Sequence, residues 1–252
     1  MEANRFPAAG AVFWAEALLF GAPGARAIGG PPPLLDARVT GALPDKVTWR
    51  ADPRGIVLLA EPVFYDHMPT PDELATPPFS APITVSGQVM SRDGRFHPRL
   101  FSVPLNADRV AYVALYRSTV TTRFDEAGGL AVRLLYADGA PAAWAIVTLT
   151  CTRTGNTFTF SGQANQQGDL LVAMRGLPPP PASNLTDQLT MTVVAPATHP
   201  QPIPVADPDA LTARRLRLAG SGAFADSVTI PFARGQVLTA TDPSVPFATL
   251  EA

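Results

Sequence analysis

Three histidines (His67, His97, His199) and one cysteine (Cys151) are the residues of this 252-residue chain best suited to proton transfer, metal ligation or covalent attack. Their spacing assembles none of these chemistries. A metal site of recognisable type needs His, Cys or carboxylate ligands a few residues apart on one element, and these four lie far apart. Asp66-His67 sets a carboxylate beside an imidazole, but adjacent side chains do not by themselves converge on one substrate, and no third partner is evident. Cys151 sits in an apolar run without a neighbour that would lower its pKa, so it reads as a small buried hydrophobe, and a single cysteine forms no internal disulfide. Gly220-Ser221-Gly222 reads as a turn, with no strand-to-helix elbow around its serine. No phosphate-binding glycine loop and no paired carboxylates on one strand face are present, so the expectation is a protein with no catalytic, cofactor or metal residues.

Other side chains suit contact better than reaction. The proline-rich excursion from Pro62 to Pro82 carries Phe64, Tyr65, His67 and Phe79, an aromatic and polar set that matches the face of a sugar. Arg92, Arg95, His97 and Arg99 surround the turn Ser91-Arg92-Asp93-Gly94. They could meet an acidic partner, although charges there also keep a hairpin solvated and discourage edge pairing. Gly10–Phe20 reads as an opening strand or a docking segment with Trp14 as its anchor, and the apolar segments Val12–Phe20 and Val245–Leu250 look like ends that need a partner surface. The candidate interaction set is therefore Trp14, Phe20, Phe64, Tyr65, His67, Phe79, Arg92, Arg95 and Arg99.

Composition sets the elements that must position these groups. With 46% hydrophobic and 16% charged residues the chain can bury a sizeable core, and 28 prolines with 19 glycines suit many short strands joined by turns. Charge is even, with 13 acids against 12 bases through Glu126 and 8 against 7 beyond it, so there is no basic face for nucleic acid. No apolar stretch is long enough to span a membrane, and Glu16 interrupts the faint signal-peptide outline after Arg5. These features predict a cytoplasmic protein or one built into an assembled particle.

Strands are expected at Leu35–Thr40, Lys46–Arg50, Ile56–Ala60, Ile83–Met90, Phe96–Val103 and Val110–Tyr116, closing a first domain over 1–123. Beyond the boundary at Thr119–Gly129, strands at Arg133–Tyr136, Ala145–Thr150, Thr157–Phe160, Leu170–Met174, Gln188–Ala195, Arg214–Leu218 and Ser227–Phe232 make seven in a second domain over 124–252. Thr70–Leu74 and Asp207–Leu211 each read as a single helical turn opened by a cap and a proline. Pro178–Pro181 reads as a stiff clamp between strands. Ala51–Leu59 can be laid beside Ala164–Val172, which admits a duplication of the two halves. The fold class is all-β, as two antiparallel sandwiches.

Asp138-Gly139-x-Pro141, then Ala145-x-Val147-x-Leu149, Asn165-x-x-Gly168-Asp169-Leu170 and Leu177-Pro178 resemble the pattern of carboxypeptidase-regulatory-like, transthyretin-like β-sandwich domains. The resemblance covers roughly fifty residues of the second half. It implies that the D-G-x-P turn links two core strands and that Asn165–Gly168 opens a later one. Trp144 departs from it, standing where the family often has glycine. The family is mostly non-catalytic scaffolding, which implies a structural or adaptor role. The expectation is a protein that docks with protein partners, its own copies among them, in a larger assembly such as a phage-tail-like contractile injection particle. A glycan- or protein-recognition module is the alternative, and a hydrolase using His67 or His97 stands behind both.

Overall fold

The computed structural model describes residues 8–16, 33–45, 47–60, 83–105, 109–153, 155–180, 186–197, 207–240 and 247–251. Within them the chain is built of strands, joined by turns and one short 3-10 turn at Pro208–Ala210 that the Asp207 carboxylate caps by accepting from the Asp209 amide. The expected turn at Thr70–Leu74 lies outside the described residues. The chain divides into two units, one of residues 1–93 and 99–115, the other of residues 94–98 and 116–252. The dividing point thus precedes the expected Thr119–Gly129 stretch. Its physical reason is local: Ser118 and Thr121 bind the backbone of Gly94 and Arg95, which ties the hairpin tip and the following turn to one unit.

The first unit holds β1 (Ala8–Glu16), β2 (Leu35–Val39), β3 (Val47–Asp52), β4 (Gly55–Ala60), β5 (Thr84–Ser91), β6 (Arg99–Pro104) and β7 (Val110–Leu115). One sheet runs β3-β4-β1-β7 and the other β2-β5-β6. Alternation along each strand sorts the side chains. Val12, Ile56 and Leu58 are fully buried, and the Trp14 indole of the first sheet meets Phe101 of the second edge-on at 5.6 Å. The Asp52–Gly55 turn closes with the Asp52 carboxylate accepting from the Arg54 amide. Gly55 is required there, because a Cβ would lie 2.0 Å from the Val12 carbonyl.

The second unit holds β8 (Gly129–Tyr136), β9 (Ile146–Arg153), β10 (Asn156–Gln163), β11 (Asp169–Ala173), β12 (Thr186–Ala195), β13 (Thr212–Arg214), β14 (Leu216–Leu218), β15 (Val228–Ala233), β16 (Val237–Leu238) and β17 (Ala248–Leu250). One sheet is β10-β9-β12, with β15 and β13 both along β12. The other is β11-β8-β17-β14, with β16 also along β8. Their inner faces share one core, in which Leu130, Leu134, Leu170 and Met174 meet Leu149, Leu189, Met191 and Phe232. Two local turns set the corners. Gly139, at φ +88°, follows Asp138, whose carboxylate accepts from the Ala140 amide. Asn165 Oδ1 accepts from the amides of Gln167 and Asp169, and Gly168 at φ +80° packs so close to the Leu134 carbonyl that a Cβ would lie 2.3 Å away.

All-β architecture holds, with three corrections. The sheets are mixed: β1 runs parallel to β7, and both β16 and β17 run parallel to β8. The expected strand Arg214–Leu218 breaks at Arg215 into β13 and β14, which belong to different sheets, and β16 and β17 are added, so the described residues of the second unit form ten strands, not seven. The two stretches compared for duplication differ in topology. Ala51–Leu59 folds back as the antiparallel pair β3–β4, whereas Ala164–Val172 carries the chain from one sheet at β10 to the other at β11.

Candidate functional site

Trp14 is a core residue and not a docking anchor: β1 is flanked on both sides in its own sheet, and the indole is 2% exposed. The C-terminal segment is corrected likewise. β17 is paired with β8 and β14, and Ala248 and Leu250 are fully buried, so this apolar end is satisfied by its own unit. Arg99 is also interior, donating from Nη1 to the Ala114 carbonyl at 2.5 Å and from Nε to the Leu100 carbonyl. Arg92 is exposed and paired with Asp36 at 2.5 Å, a contact that holds the Asp36 carboxyl below its usual range. Arg95 is half-buried. Arg92 and Arg99 therefore serve separate local contacts. Phe20, Phe64, Tyr65, His67, Phe79 and His199 lie outside the described residues.

His97 is buried in the second unit, its ring edge-on to Trp144 with centroids 5.7 Å apart. Burial pushes its pKa down to about 4, opposed in part by a hydrogen bond with the Gln163 backbone, and Nε2 has no hydrogen-bond partner among the described residues. An imidazole sealed in this way is placed to pack, not to exchange protons with a substrate. Trp144 itself sits at φ +62°, the left-handed region that favours glycine, with its carbonyl accepting from the buried Gln163 amide. Cys151 is buried, which raises its thiol pKa, and Asp187 adds to the rise. The Ser221 hydroxyl lies in an exposed turn and donates to the Ala223 carbonyl. Among the described residues no group of three or more His, Cys, Asp or Glu side chains could hold a metal ion, and no helix is long and apolar enough to cross a membrane.

One feature escaped the sequence because it joins residues 34 apart. The Arg153 guanidinium and Asp187 carboxylate form a buried two-point ion pair, Nε to Oδ1 at 2.8 Å and Nη2 to Oδ2, while Nη1 donates to the Pro178 carbonyl. The pair ties β9 to β12, and the same guanidinium holds the Pro178 carbonyl.

The surface that suits contact is the outer face of the β3-β4-β1-β7 sheet. Phe13 lies opposite Tyr112 with ring centroids 5.8 Å apart, and Ala11 lies opposite both Val57 and Val110. Val57, Leu59 and Val110 are half-buried, and Tyr112 is 47% exposed. The Phe13 and Tyr112 positions were legible as strand residues, but their shared face was not, because β1 and β7 are far apart in sequence. A shallow groove of about 540 Å³ lies in the second unit over β8 and β11, floored by Ala131 and Leu171 and crossed by the exposed Arg133–Asp169 ion pair. No protein-family model, curated protein or solved structure matches the chain.

Proposed function

We propose that the protein is a non-enzymatic structural or adaptor component that docks into a larger protein assembly. The observation that carries this reading is the aromatic and aliphatic outer face of the first unit's larger sheet, where Tyr112 stands half-exposed beside Phe13, Val57 and Val110. A strand face of this composition is what a partner protein covers, since tyrosine and aliphatic side chains exclude water at low entropic cost. Burial of His97, the one histidine among the described residues, agrees with a role in holding shape.

For the second unit we propose the carboxypeptidase-regulatory-like, transthyretin-like sandwich. Its support is the two turns, Asp138–Pro141 and Asn165–Gly168, and the left-handed conformation of Trp144 at the corner where that family often has glycine. A phage-tail-like contractile injection particle is the setting proposed for it, by analogy with small β-sandwich accessory proteins of such particles. The glycan-recognition alternative rested on Phe64, Tyr65, His67 and Phe79, and nothing among the described residues favours it.

Size fractionation of a native extract from producing cells tests the reading. The chain is expected in a complex well above its own 26.6 kDa, and Tyr112→Lys is expected to release it from that complex without loss of folding stability. Elution of the wild-type chain alone, or co-fractionation unchanged by Tyr112→Lys, would contradict it.

A further inference from the structure

Edge strands expose backbone donors and acceptors, and folded proteins guard them with charge, proline, short length or cover. Among the described residues the edges follow that rule with one exception, and two-residue β16 follows it by its length. β3 carries Arg50 and Asp52, β2 carries Asp36 and Arg38, β6 ends in Pro104, β15 contains Pro231, and β11 starts at the ion-paired Asp169. β13 and β14 are three residues each and carry Arg214 and Arg217. In β7 the Ala114 carbonyl is taken by the buried Arg99 guanidinium.

β10 is unguarded. It is an eight-residue edge, Asn-Thr-Phe-Thr-Phe-Ser-Gly-Gln, paired with β9 along its whole length without a bulge and carrying neither charge nor proline. Its far end is covered, since a Cβ on Gly162 would lie 2.6 Å from the Leu171 carbonyl, but Asn156, Thr157 and Thr159 are exposed. Alternate residues of an edge strand turn both N–H and C=O outward. Among the described residues no hydrogen bond beyond the β9 ladder reaches the backbone of Thr157, Thr159 or Ser161.

We propose that β10 pairs antiparallel with β10 of a second copy of this chain, giving a two-fold dimer whose two sheets become one. The proposal rests on the docking reading above and names one partner for it. Self-pairing centred on Thr159 sets Thr157 opposite Ser161 of the other copy, Thr159 opposite its own equivalent, and Phe158 opposite Phe160, so hydroxyls meet hydroxyls and rings meet rings. Because the strand is uncharged, the two-fold axis brings no like charges together. The new pairing also extends an existing row, since Thr159 already lies opposite Thr150, and Thr150 opposite Thr190. The hydroxyl of Thr152 reaches that of Thr157, and Thr148 that of Ser161, so the outer face is ordered before a partner arrives.

Sedimentation velocity on the full chain from about 1 to 100 μM tests the pairing. The wild type is expected to dimerise. Thr159→Lys and Thr159→Glu, which each place like charges on the axis, are expected to weaken the dimer at least about tenfold, and an equal mixture of the two is expected to restore it. That restoration would not follow from misfolding. A wild-type chain monomeric across the range, or a dimer indifferent to both substitutions, would overturn the proposal. A wild-type monomer that still fractionates with an assembly through Tyr112 would remove this inference and leave the docking reading standing. A wild-type monomer whose Thr159→Lys variant leaves the assembly would overturn self-pairing in favour of a partner's strand.

Discussion

His97 is the residue whose surroundings decide most about its role. Its ring is buried against Trp144, and desolvation depresses its pKa from the ordinary 6.5 to about 4. The unfolded chain takes up a proton below pH 6.5 while the folded chain resists until about 4, so the stability from this site is complete above 6.5 and lost as pH falls through about 4. The loss over that window amounts to roughly 3 kcal/mol. Urea unfolding of His97→Gln against wild type should therefore show about one proton fewer taken up on unfolding between pH 6 and 4.5. Superimposable pH profiles would rule this out. Trp144 beside it holds a φ of +62°, a left-handed conformation uncommon for a bulky side chain.

At the scale of elements, local signals were legible and distant pairings were not. Asp138-Gly139 and Asn165–Gly168 announce their turns because the residues that shape the backbone are the residues of the turn itself. Gln188–Ala195 reads as a strand because Leu189, Met191 and Val193 alternate with polar neighbours, and all three are buried. By contrast β16 and β17, at two and three residues, are too short for any period, and both depend on β8 more than a hundred residues earlier. The same distance hides the parallel β1–β7 pair, and with it the interior position of Trp14 and the shared face of Phe13 and Tyr112. The Arg153–Asp187 pair is a further link of this kind. Removing one member strands the other charge: Arg153→Met alone is expected to cost about 3–5 kcal/mol, whereas Arg153→Met with Asp187→Leu should recover most of it. Denaturant midpoints of the two variants decide this, and equal losses would contradict the account of the pair.

At the scale of the whole molecule, each unit buries an apolar core of its own, and the surfaces left over are an aromatic sheet face in the first and an unguarded edge in the second. The two features serve contact by different physics. The face gains by removing apolar area from water, while the edge gains by pairing backbone groups that water already satisfies, so it depends on geometry and symmetry. An even charge distribution leaves neither surface with a long-range pull toward a partner, which favours an assembly held by fit over one steered by charge.

Hydroxyl-radical footprinting of Phe13 and Tyr112, in the isolated chain and in the native complex, reads out whether a partner covers the sheet face. Both rings are expected to react in the isolated chain, and Tyr112, the more exposed, is expected to lose most of its reactivity on assembly. Equal reactivity of Tyr112 in the two states would contradict docking through this face.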